Sequence, residues 1–295
     1  MATDPDKAVG HGVTLPTADG LALHGWHWPW PSPRGVLIIA HGLGEHGGCY
    51  RHVAEALGPA LGVDVLTFDF RGHGRSPGRR GVVRLYDELT TDLRAALTWA
   101  GLERPGLPRI VLGHSNGGQV ALRLVLEDGS DVAGLILSNP SIRLAVQVPS
   151  WKRLVGKGLL RFAPGVTMDS ALNETQMTRD LDDLATRRHD PLRHARISAP
   201  LYFGMVEGGP MIAARATEIQ VPLLLLLSGS DPVVDAKASR SVFDTFGAAD
   251  KTLIVYPEML HEPLNDTENR RVLDDIAAWL SPRLDAPAPG SRMPA

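Results

Sequence analysis

The sequence predicts an α/β fold, a mostly parallel, doubly wound sheet with helices on both faces and an inserted helical cap. Short apolar runs alternate with helical patterns along most of the 295 residues, as is typical of β-α-β units. The run at 35–40 is continuously apolar, which indicates a strand covered on both faces. Residues 143–215 break the alternation, with several short helical patterns and no clear strand, so we expect a cap there.

Seven segments have the composition of strands. The first, 21–28, alternates apolar and polar residues and predicts an early antiparallel strand. The other six follow in the order 35–40, 63–68, 110–112, 133–137, 223–227 and 252–256. Helical patterns cover 50–60, 86–100, 116–127, 237–246 and 267–280. Together they predict a mostly parallel sheet, whose chemistry belongs at the carboxyl ends of the strands.

The domain organisation follows from the same patterns. Residues 1–142 and 216–281 are predicted to form the α/β core, and 143–215 the cap that covers it. Residues 282–295 are rich in proline, alanine and glycine and are predicted to be a disordered tail.

Composition limits the class of protein. A chain with 43% hydrophobic and 21% charged residues can bury a large core. Its net charge of −3 provides no general attraction for nucleic acid. A single cysteine, Cys49, rules out an internal disulfide and a cysteine metal site. Without a signal-like or membrane-spanning stretch, we expect a soluble cytoplasmic protein, and no motif implies a cofactor or an oligomeric state.

The segment Gly113-His114-Ser115-Asn116-Gly117-Gly118 lies between a predicted strand and a predicted helix. Strand, G-x-S-x-G and helix are the arrangement of a nucleophile elbow. Ser115 would lie on a sharp, strained turn, with Gly113 and Gly117 allowing the strand and the helix to approach closely. The backbone N–H of Asn116 would lie at a helix N-terminus, where it can stabilise negative charge. A pattern this short still needs a base, an acid and a second donor.

The loop after the 35–40 strand reads His41-Gly42-Leu43-Gly44-Glu45-His46. Its histidines do not have the spacing of a helical H-E-x-x-H metal site, and its glycines favour a tight loop. A backbone donor is therefore favoured over a metal site. The N–H of Leu43 is the candidate for the second oxyanion donor.

The loop at 69–76, Asp-Phe-Arg-Gly-His-Gly-Arg-Ser, contains another histidine, His73. It precedes Ser115, whereas in this architecture the order along the chain is serine, acid, histidine. We therefore interpret 69–76 as a structural turn held by side-chain hydrogen bonds.

The acid and the base are expected after the last two predicted strands. Asp231 and Asp235 both follow the 223–227 strand, and either can orient a histidine. Asp231 is favoured because it is nearer the strand end, while Asp235 can instead cap the next helix. His261 is the only histidine after Asp231 and lies in a loop between a strand and a helix, which makes it the candidate base.

Together these segments resemble the monoacylglycerol lipase and lysophospholipase branch of the α/β-hydrolase superfamily, also labelled serine-aminopeptidase-like hydrolases. The resemblance covers roughly residues 12–281. The matching motifs are His41-Gly42-x-Gly44-Glu45-His46, Asp69-x-Arg71-Gly72-His73-Gly74-x-Ser76, Gly113-His114-Ser115-x-Gly117-Gly118, Asp190-Pro191-Leu192, Gly229-Ser230-Asp231 and His261-Glu262.

The resemblance implies an α/β-hydrolase fold with Ser115 as nucleophile and Asp231 and His261 completing the triad. It implies Leu43 and Asn116 as the backbone donors of the oxyanion hole. Asn116 departs from the branch, where methionine or leucine is usual, and its polar side chain is expected to affect the pocket. The cap matches weakly, so the resemblance does not carry over the identity of the substrate.

The cap contains one amphipathic pattern. If 151–162 is helical, Trp151, Leu154, Val155, Leu159 and Phe162 share one face. Arg153, Lys157 and Arg161 lie on the opposite side. The apolar face can cover the protein's own acyl pocket, which makes Trp151, Leu154, Val155 and Leu159 candidate substrate-binding residues. It can instead make a weak peripheral contact with a membrane. The first interpretation is favoured because two glycines weaken the helix.

These residues predict a serine hydrolase that cleaves carboxylic esters through an acyl-enzyme, with a small ester or lipid such as a monoacylglycerol as substrate. A short-chain carboxylesterase, a lysophospholipase, a thioesterase and a proline-specific aminopeptidase share the triad and stay open. A non-catalytic receptor or scaffold on the same fold is the remaining alternative. Enzymes of this fold that need an acidic nucleophile are excluded by Ser115.

Overall fold

Ten strands, eight of them in one central sheet, form the framework of residues 10–146 and 148–284, which are the residues that this computed structural model describes. The strands are β1 (His11–Pro16), β2 (Ala22–Trp28), β3 (Val36–Ala40), β4 (Asp64–Phe68), β5 (Arg109–His114), β6 (Gly134–Ser138), β7 (Thr167–Asp169), β8 (Arg196–Ser198), β9 (Leu223–Ser228) and β10 (Lys251–Tyr256). The central sheet has the order β1-β2-β4-β3-β5-β6-β9-β10.

The central sheet is parallel from β4 to β10, and β1 and β2 are antiparallel at one edge. All seven predicted strands are present, so the predicted mostly parallel sheet is confirmed. The additional strand, β1, escaped prediction because it is an edge strand with only two apolar positions, Val13 and Leu15, which are too few for an alternation to be recognised.

The pleat of β3 explains its continuous apolar run. Val36, Ile38 and Ala40 contribute to the core on one face of the sheet, and Leu37 and Ile39 contribute to the core on the other. Successive side chains of a strand point to opposite faces, so a strand covered by helices on both sides needs apolar residues at every position.

Eight helices surround the sheet in the described part of the chain. They are α1 (Arg51–Leu61), α2 (Glu88–Glu103), α3 (Asn116–Asp128), α4 (Ser150–Phe162), α5 (Leu181–Arg188), α6 (Ala199–Ala214), α7 (Ala236–Thr245) and α8 (Asn269–Leu280). Buried side chains of α1 and α8 belong to one core, and those of α2, α3 and α6 belong to the other. Helices therefore cover both faces, as a doubly wound sheet requires.

The chain between β6 and β9 leaves the central sheet and contains α4, β7, α5, β8 and α6. The expectation of no strand in this segment is wrong, because β7 and β8 pair antiparallel. Each has only three residues, too few for an alternating pattern to be recognised in the sequence. The predicted cap boundaries, 143 and 215, stay a prediction.

The predicted disordered tail begins too early. Ser281–Arg283 form a 3-10 helix, and the side chain of Leu284 is buried in the core beside α8. Arg283 also forms an ion pair with Asp250. These contacts hold 282–284 against the core, while 285–295 lie outside the described residues.

None of the helices in the described ranges combines the length and the apolar character that crossing a membrane requires.

Substitution of alanine for two helical glycines should have opposite effects on stability. A Cβ on Gly209, in α6, would collide with the backbone carbonyl oxygen of Ile142. Gly209→Ala should therefore lower the free energy of unfolding by about 1–3 kcal/mol, as other overpacked sites do. A Cβ on Gly158, in α4, would meet no atom of the described structure within 4 Å. Gly158→Ala should raise stability by about 0.5–1 kcal/mol through helix propensity. Denaturant unfolding of both variants checks this pair, and equal effects would contradict the packing described for α6.

Candidate active site

Three loops at the carboxyl edge of the sheet bring a serine, a histidine and an aspartate together. Ser115 follows β5, Asp231 follows β9 and His261 follows β10. The Ser115 hydroxyl lies 2.9 Å from Nε2 of His261, and Nδ1 of the same ring lies 2.8 Å from Oδ2 of Asp231. This is the nucleophile–base–acid geometry that acyl transfer requires.

The turn at Ser115 has the predicted strain. Its φ is 50° and its ψ is −114°, although it is not a glycine. The Ser115 N–H donates to the carbonyl of Ser138 at 2.9 Å, which holds the turn against β6. A Cβ on Gly113 would lie 2.6 Å from the Cα of Gly118, and one on Gly117 would collide with the carbonyl of Ala40. The glycines are thus required by the close approach of strand and helix.

Asp231 is held by its own loop. Its Oδ1 accepts the backbone N–H groups of Val233 at 2.8 Å and Val234 at 3.0 Å, which leaves Oδ2 for His261. Burial raises the pKa of this carboxyl, but the facing imidazole and the backbone donors lower it further, so the net pKa lies below the ordinary value. The group is therefore ionised at neutral pH.

Asp235, the alternative acid, has a different role. Its side chain accepts the N–H of Ala238 at 3.0 Å and so caps α7. It also forms an ion pair with Arg143. The structure therefore brings Asp231, and not Asp235, to His261.

The buried imidazole of His261 has its pKa raised. Burial alone lowers this pKa, but the charge of Asp231 and the hydrogen bond to it outweigh that effect. The carbonyl of His261 accepts from Nδ2 of Asn139 at 2.7 Å, and the Asn139 side chain also bonds to Ser228. Asn139 therefore ties the histidine loop to the ends of β6 and β9. Sequence reasoning missed it because no motif surrounds it.

Leu43 lines the same pocket as Ser115, and Asn116 follows Ser115 as the first residue of α3. Among the described residues no acceptor is bonded to the backbone N–H of either residue, so both N–H groups stay candidate oxyanion donors. Glu45 fixes the Leu43 loop, because its carboxylate accepts the Gly42 N–H at 2.8 Å and the Tyr50 hydroxyl at 2.7 Å.

The side chain of Asn116 is buried and accepts a hydrogen bond from the Tyr86 hydroxyl at 2.7 Å. It is not among the described residues that line the pocket at Ser115. The expected effect of this polar side chain on the pocket is therefore not supported by its position.

A largely apolar pocket opens from Ser115 beneath the inserted segment. Its larger apolar side chains are those of Leu43, Leu144, Val146, Val148, Met168, Leu172, Ile197, Tyr202, Met205 and Val233. These side chains come from five separate stretches of the chain, at 43, 144–148, 168–172, 197–205 and 233, so no local pattern in the sequence could have identified them. The composition of the pocket suits an acyl chain.

The predicted helix at 151–162 is present, but its predicted orientation is wrong. None of Trp151, Leu154, Val155 and Leu159 lines the pocket at Ser115. The first three are exposed, at 62%, 72% and 45%, and Leu159 is partly exposed. Two residues of another face, Lys152 and Gly156, line the pocket instead.

The orientation of α4 follows from the small size of Gly156. A Cβ there would lie 3.3 Å from the ring of Phe203, so α4 packs on α6 through its glycine and turns its apolar face outward. The amphipathic pattern predicted the helix correctly. It did not say which face the rest of the protein would cover.

Buried ion pairs connect the inserted segment to the active-site loops. Arg187 of α5 donates to both carboxylate oxygens of Glu262, at 3.0 and 2.8 Å, next to His261 in the chain. Burial raises the pKa of Glu262, but Arg187 overcomes this and holds the pKa far below its usual range. Arg193 lies 3.5 Å from Glu45 in the same way. The sequence offered the motifs that contain Glu45 and Glu262 as signals for this network, but no motif contained Arg187 or Arg193.

A cluster of His46, Cys49 and Asp190 has potential metal ligand atoms within 4.8 Å of one another. Nδ1 of His46 accepts the N–H of Gly48, so its Nε2 carries the proton and donates to Asp190 at 2.7 Å. Burial raises the pKa of the Cys49 thiol to about 12, which disfavours the thiolate that a metal needs. The arrangement favours a hydrogen-bonded contact between the His46 loop and the inserted segment.

His73 lies in the turn predicted to be structural. Its Nδ1 donates to the carbonyl of Arg71 at 3.0 Å, and its ring lies beside those of His41 and His194. Asp69 accepts the N–H groups of Gly47 and Arg75, which holds the turn as expected. The histidine that contacts Ser115 is His261.

The sheet topology and the serine, acid and histidine in this chain order define an α/β-hydrolase. Residues 31–268 match the family described as serine aminopeptidase, S33, and the chain belongs to that family. The prediction of the fold and of its branch is confirmed.

Known relatives cover most of this chain. A monoacylglycerol lipase of Mycolicibacterium smegmatis is 34% identical over 253 residues, which are 85% of this chain and 90% of that protein. A phospholipase of Bacillus subtilis is 30% identical over 258 residues, 86% of this chain and 98% of that protein. The crystal structure of a Paleococcus ferrophilus monoacylglycerol lipase superposes with a TM-score of 0.81 at 29% identity, covering 88% of this chain and 99% of that one. The prediction of a carboxylic ester hydrolase is confirmed.

The geometry predicts the titration of His261. In the parent protein its pKa should lie above the ordinary histidine value of about 6.5. In Asp231→Asn the pKa of His261 should fall below that of the parent protein, because the ring loses the charge and the hydrogen bond of Asp231 that outweigh its burial. Asp235→Asn, the matched control, should leave it unchanged. NMR titration of the imidazole checks both variants, and an equal shift in the two would contradict the assignment of Asp231.

Proposed function

We propose that the protein hydrolyses monoacylglycerols or closely similar lipid esters through an acyl-enzyme formed on Ser115. The observation that carries the proposal is the unbroken chain of hydrogen bonds from Ser115 to His261 to Asp231 at the end of an apolar pocket. The confirmed family agrees with it.

In the first half of the reaction, His261 Nε2 takes the Ser115 proton and the serine oxygen attacks the ester carbonyl. The N–H groups of Leu43 and Asn116 bind the oxyanion, and His261 then gives the proton to the departing alcohol. Water attacks the acyl-enzyme in the second half, with the same base and the same donors. Asp231 orients the imidazole and stabilises its charged form throughout.

The pH dependence follows from His261. Only the neutral ring can act as a base, so activity falls as the pH is lowered through its pKa. Because that pKa is raised, the acid limb of the rate profile lies above about pH 6.5, the value for an unperturbed histidine.

The substrate class rests on the pocket and on the relatives. A pocket lined mainly by apolar side chains suits the acyl chain of a lipid ester. Two of the proteins similar to this chain are named monoacylglycerol lipases, and a third is named a phospholipase. Lysophospholipid is therefore the second candidate substrate, ahead of simple short-chain esters. A cytoplasmic location stays a prediction from the sequence.

Ser115→Ala should lower the hydrolysis of a monoacylglycerol by about a millionfold, because the nucleophile is lost. Asp231→Asn should lower kcat by about ten-thousandfold, since the imidazole loses its orienting partner. Asp235→Asn, the matched control, should stay within a few-fold of the parent enzyme. The assay is a panel of monoacylglycerols and p-nitrophenyl esters of graded chain length, a lysophospholipid and an aminoacyl amide. Activity retained in Ser115→Ala would refute the mechanism.

We also propose that α4 makes a weak peripheral contact with lipid surfaces. Its exposed apolar residues are Trp151, Leu154, Val155, Leu160 and Phe162, the last at 83% exposure. Arg161 on the same helix lies over the Phe162 ring, which places a cation beside the apolar surface. Apolar side chains with neighbouring cations favour the interface of an anionic membrane.

The double variant Leu154→Asp, Phe162→Asp should reduce co-sedimentation with anionic vesicles several-fold, because it removes apolar contacts and adds negative charge. Leu102→Asp is the matched control, since Leu102 is 78% exposed but belongs to α2. Hydrolysis of a water-soluble ester should be unchanged in all three proteins. An equal loss in the control would contradict a specific contact through α4.

A further inference from the structure

A groove adjoins the pocket at Ser115, called here the acyl pocket, and shares part of its lining. It runs between α4, α6 and α7 and has a volume of about 1050 Å³. Leu144, Val146, Val148, Tyr202 and Met205 line both this groove and the pocket at Ser115. Its size is at the upper end of the roughly 300–1000 Å³ that is usual for small-molecule sites.

The groove is rich in positive charge. Arg153 and Lys157 of α4 and Lys237 of α7 line it, and none of the three has an ion-pair partner among the described residues. Arg143, a fourth cation, is paired with Asp235. Glu207 is the one acidic residue among the described residues that line the groove. Because the whole chain carries a net charge of −3, this local excess of cations is not a general property of the surface.

Apolar side chains line the same groove between the cations. They include Phe203 and Val206 of α6, Val242 of α7 and Ile142 before α4. Val206 is 40% exposed, so part of this apolar surface faces water. An apolar surface with cations on two of its helices is complementary to an amphiphile with one negatively charged end.

We propose that this groove binds a long-chain fatty acid as its anion, in a site separate from the acyl pocket. The inference rests on the proposed function, which releases a fatty acid in the acyl pocket. A carboxyl group with a pKa of about 4.3 is ionised at neutral pH and can accept charge-assisted hydrogen bonds from Lys157 or Lys237. The uncharged monoacylglycerol lacks that carboxylate, so the groove distinguishes the acid product from the substrate.

The test measures the binding of dodecanoate to the protein after Ser115 has reacted with a long-chain alkyl phosphonate, which fills the acyl pocket. Dodecanoate is kept below the concentration at which it aggregates. Mass spectrometry of the phosphonylated protein tests Ser115 separately, so a failure of the proposed function is seen before binding is measured. The result expected from equilibrium dialysis is one dodecanoate per phosphonylated chain. Dodecanol, which lacks the charge, should bind at least tenfold more weakly.

Charge reversal locates the site. Lys157→Glu, Lys237→Glu should weaken binding of dodecanoate at least tenfold. The matched control is Arg161→Glu, Arg240→Glu, which makes the same charge change on the same two helices, α4 and α7, at residues outside the groove lining. The control should bind as the parent protein does.

Three results would overturn the proposal. Loss of dodecanoate binding on phosphonylation would place the fatty acid in the acyl pocket alone. Equal weakening in both charge-reversal variants would indicate a general charge effect. Binding of anionic vesicles without binding of monomeric dodecanoate would indicate a membrane surface instead of a fatty acid site.

Discussion

The backbone turn at Ser115 is the constraint on which the rest of the active site depends. A non-glycine residue at φ 50° costs on the order of 1–3 kcal/mol, and the surrounding structure must hold it in place. Here Gly113 and Gly117 remove the atoms that would collide, and the carbonyl of Ser138 fixes the strained N–H. Because the turn joins a central strand to a buried helix, the serine oxygen and the Asn116 N–H have defined positions relative to the sheet.

The parallel sheet brings the other groups to that turn. Strands β3, β9 and β10 end at the same edge as β5, so the loops that carry Leu43, Asp231 and His261 meet at Ser115. Buried polar contacts then fix each loop: Glu45 holds the donor loop, Asn139 holds the loop of His261, and Arg187 neutralises Glu262. Removing one partner of a buried ion pair typically costs about 3–5 kcal/mol. The Arg187–Glu262 ion pair thus links the inserted segment to the loop of His261.

Helix α4 lies at the surface with its apolar face turned toward water. It packs through Gly156 and Lys152 and leaves large apolar side chains in water, which a helix buried against its own core does not do. Its other face contributes Arg153 and Lys157 to the groove between α4, α6 and α7. One helix therefore takes part in both proposals, with its exposed apolar residues in the lipid contact and its cations in the fatty-acid groove.

The sequence by itself determined the fold class and seven strands of the sheet, and it predicted Ser115, Asp231 and His261, the three side chains that the structure brings together. Local periodicity and the order of these residues are properties of the chain. The sequence also left Asp235 as an alternative to Asp231. The structure shows that Asp235 caps α7, whereas Asp231 contacts His261. Only the tertiary structure decided which face of α4 is covered, which side chains line the acyl pocket and where the Asn116 side chain points. These features depend on contacts between residues far apart in the chain, and a local pattern does not contain them.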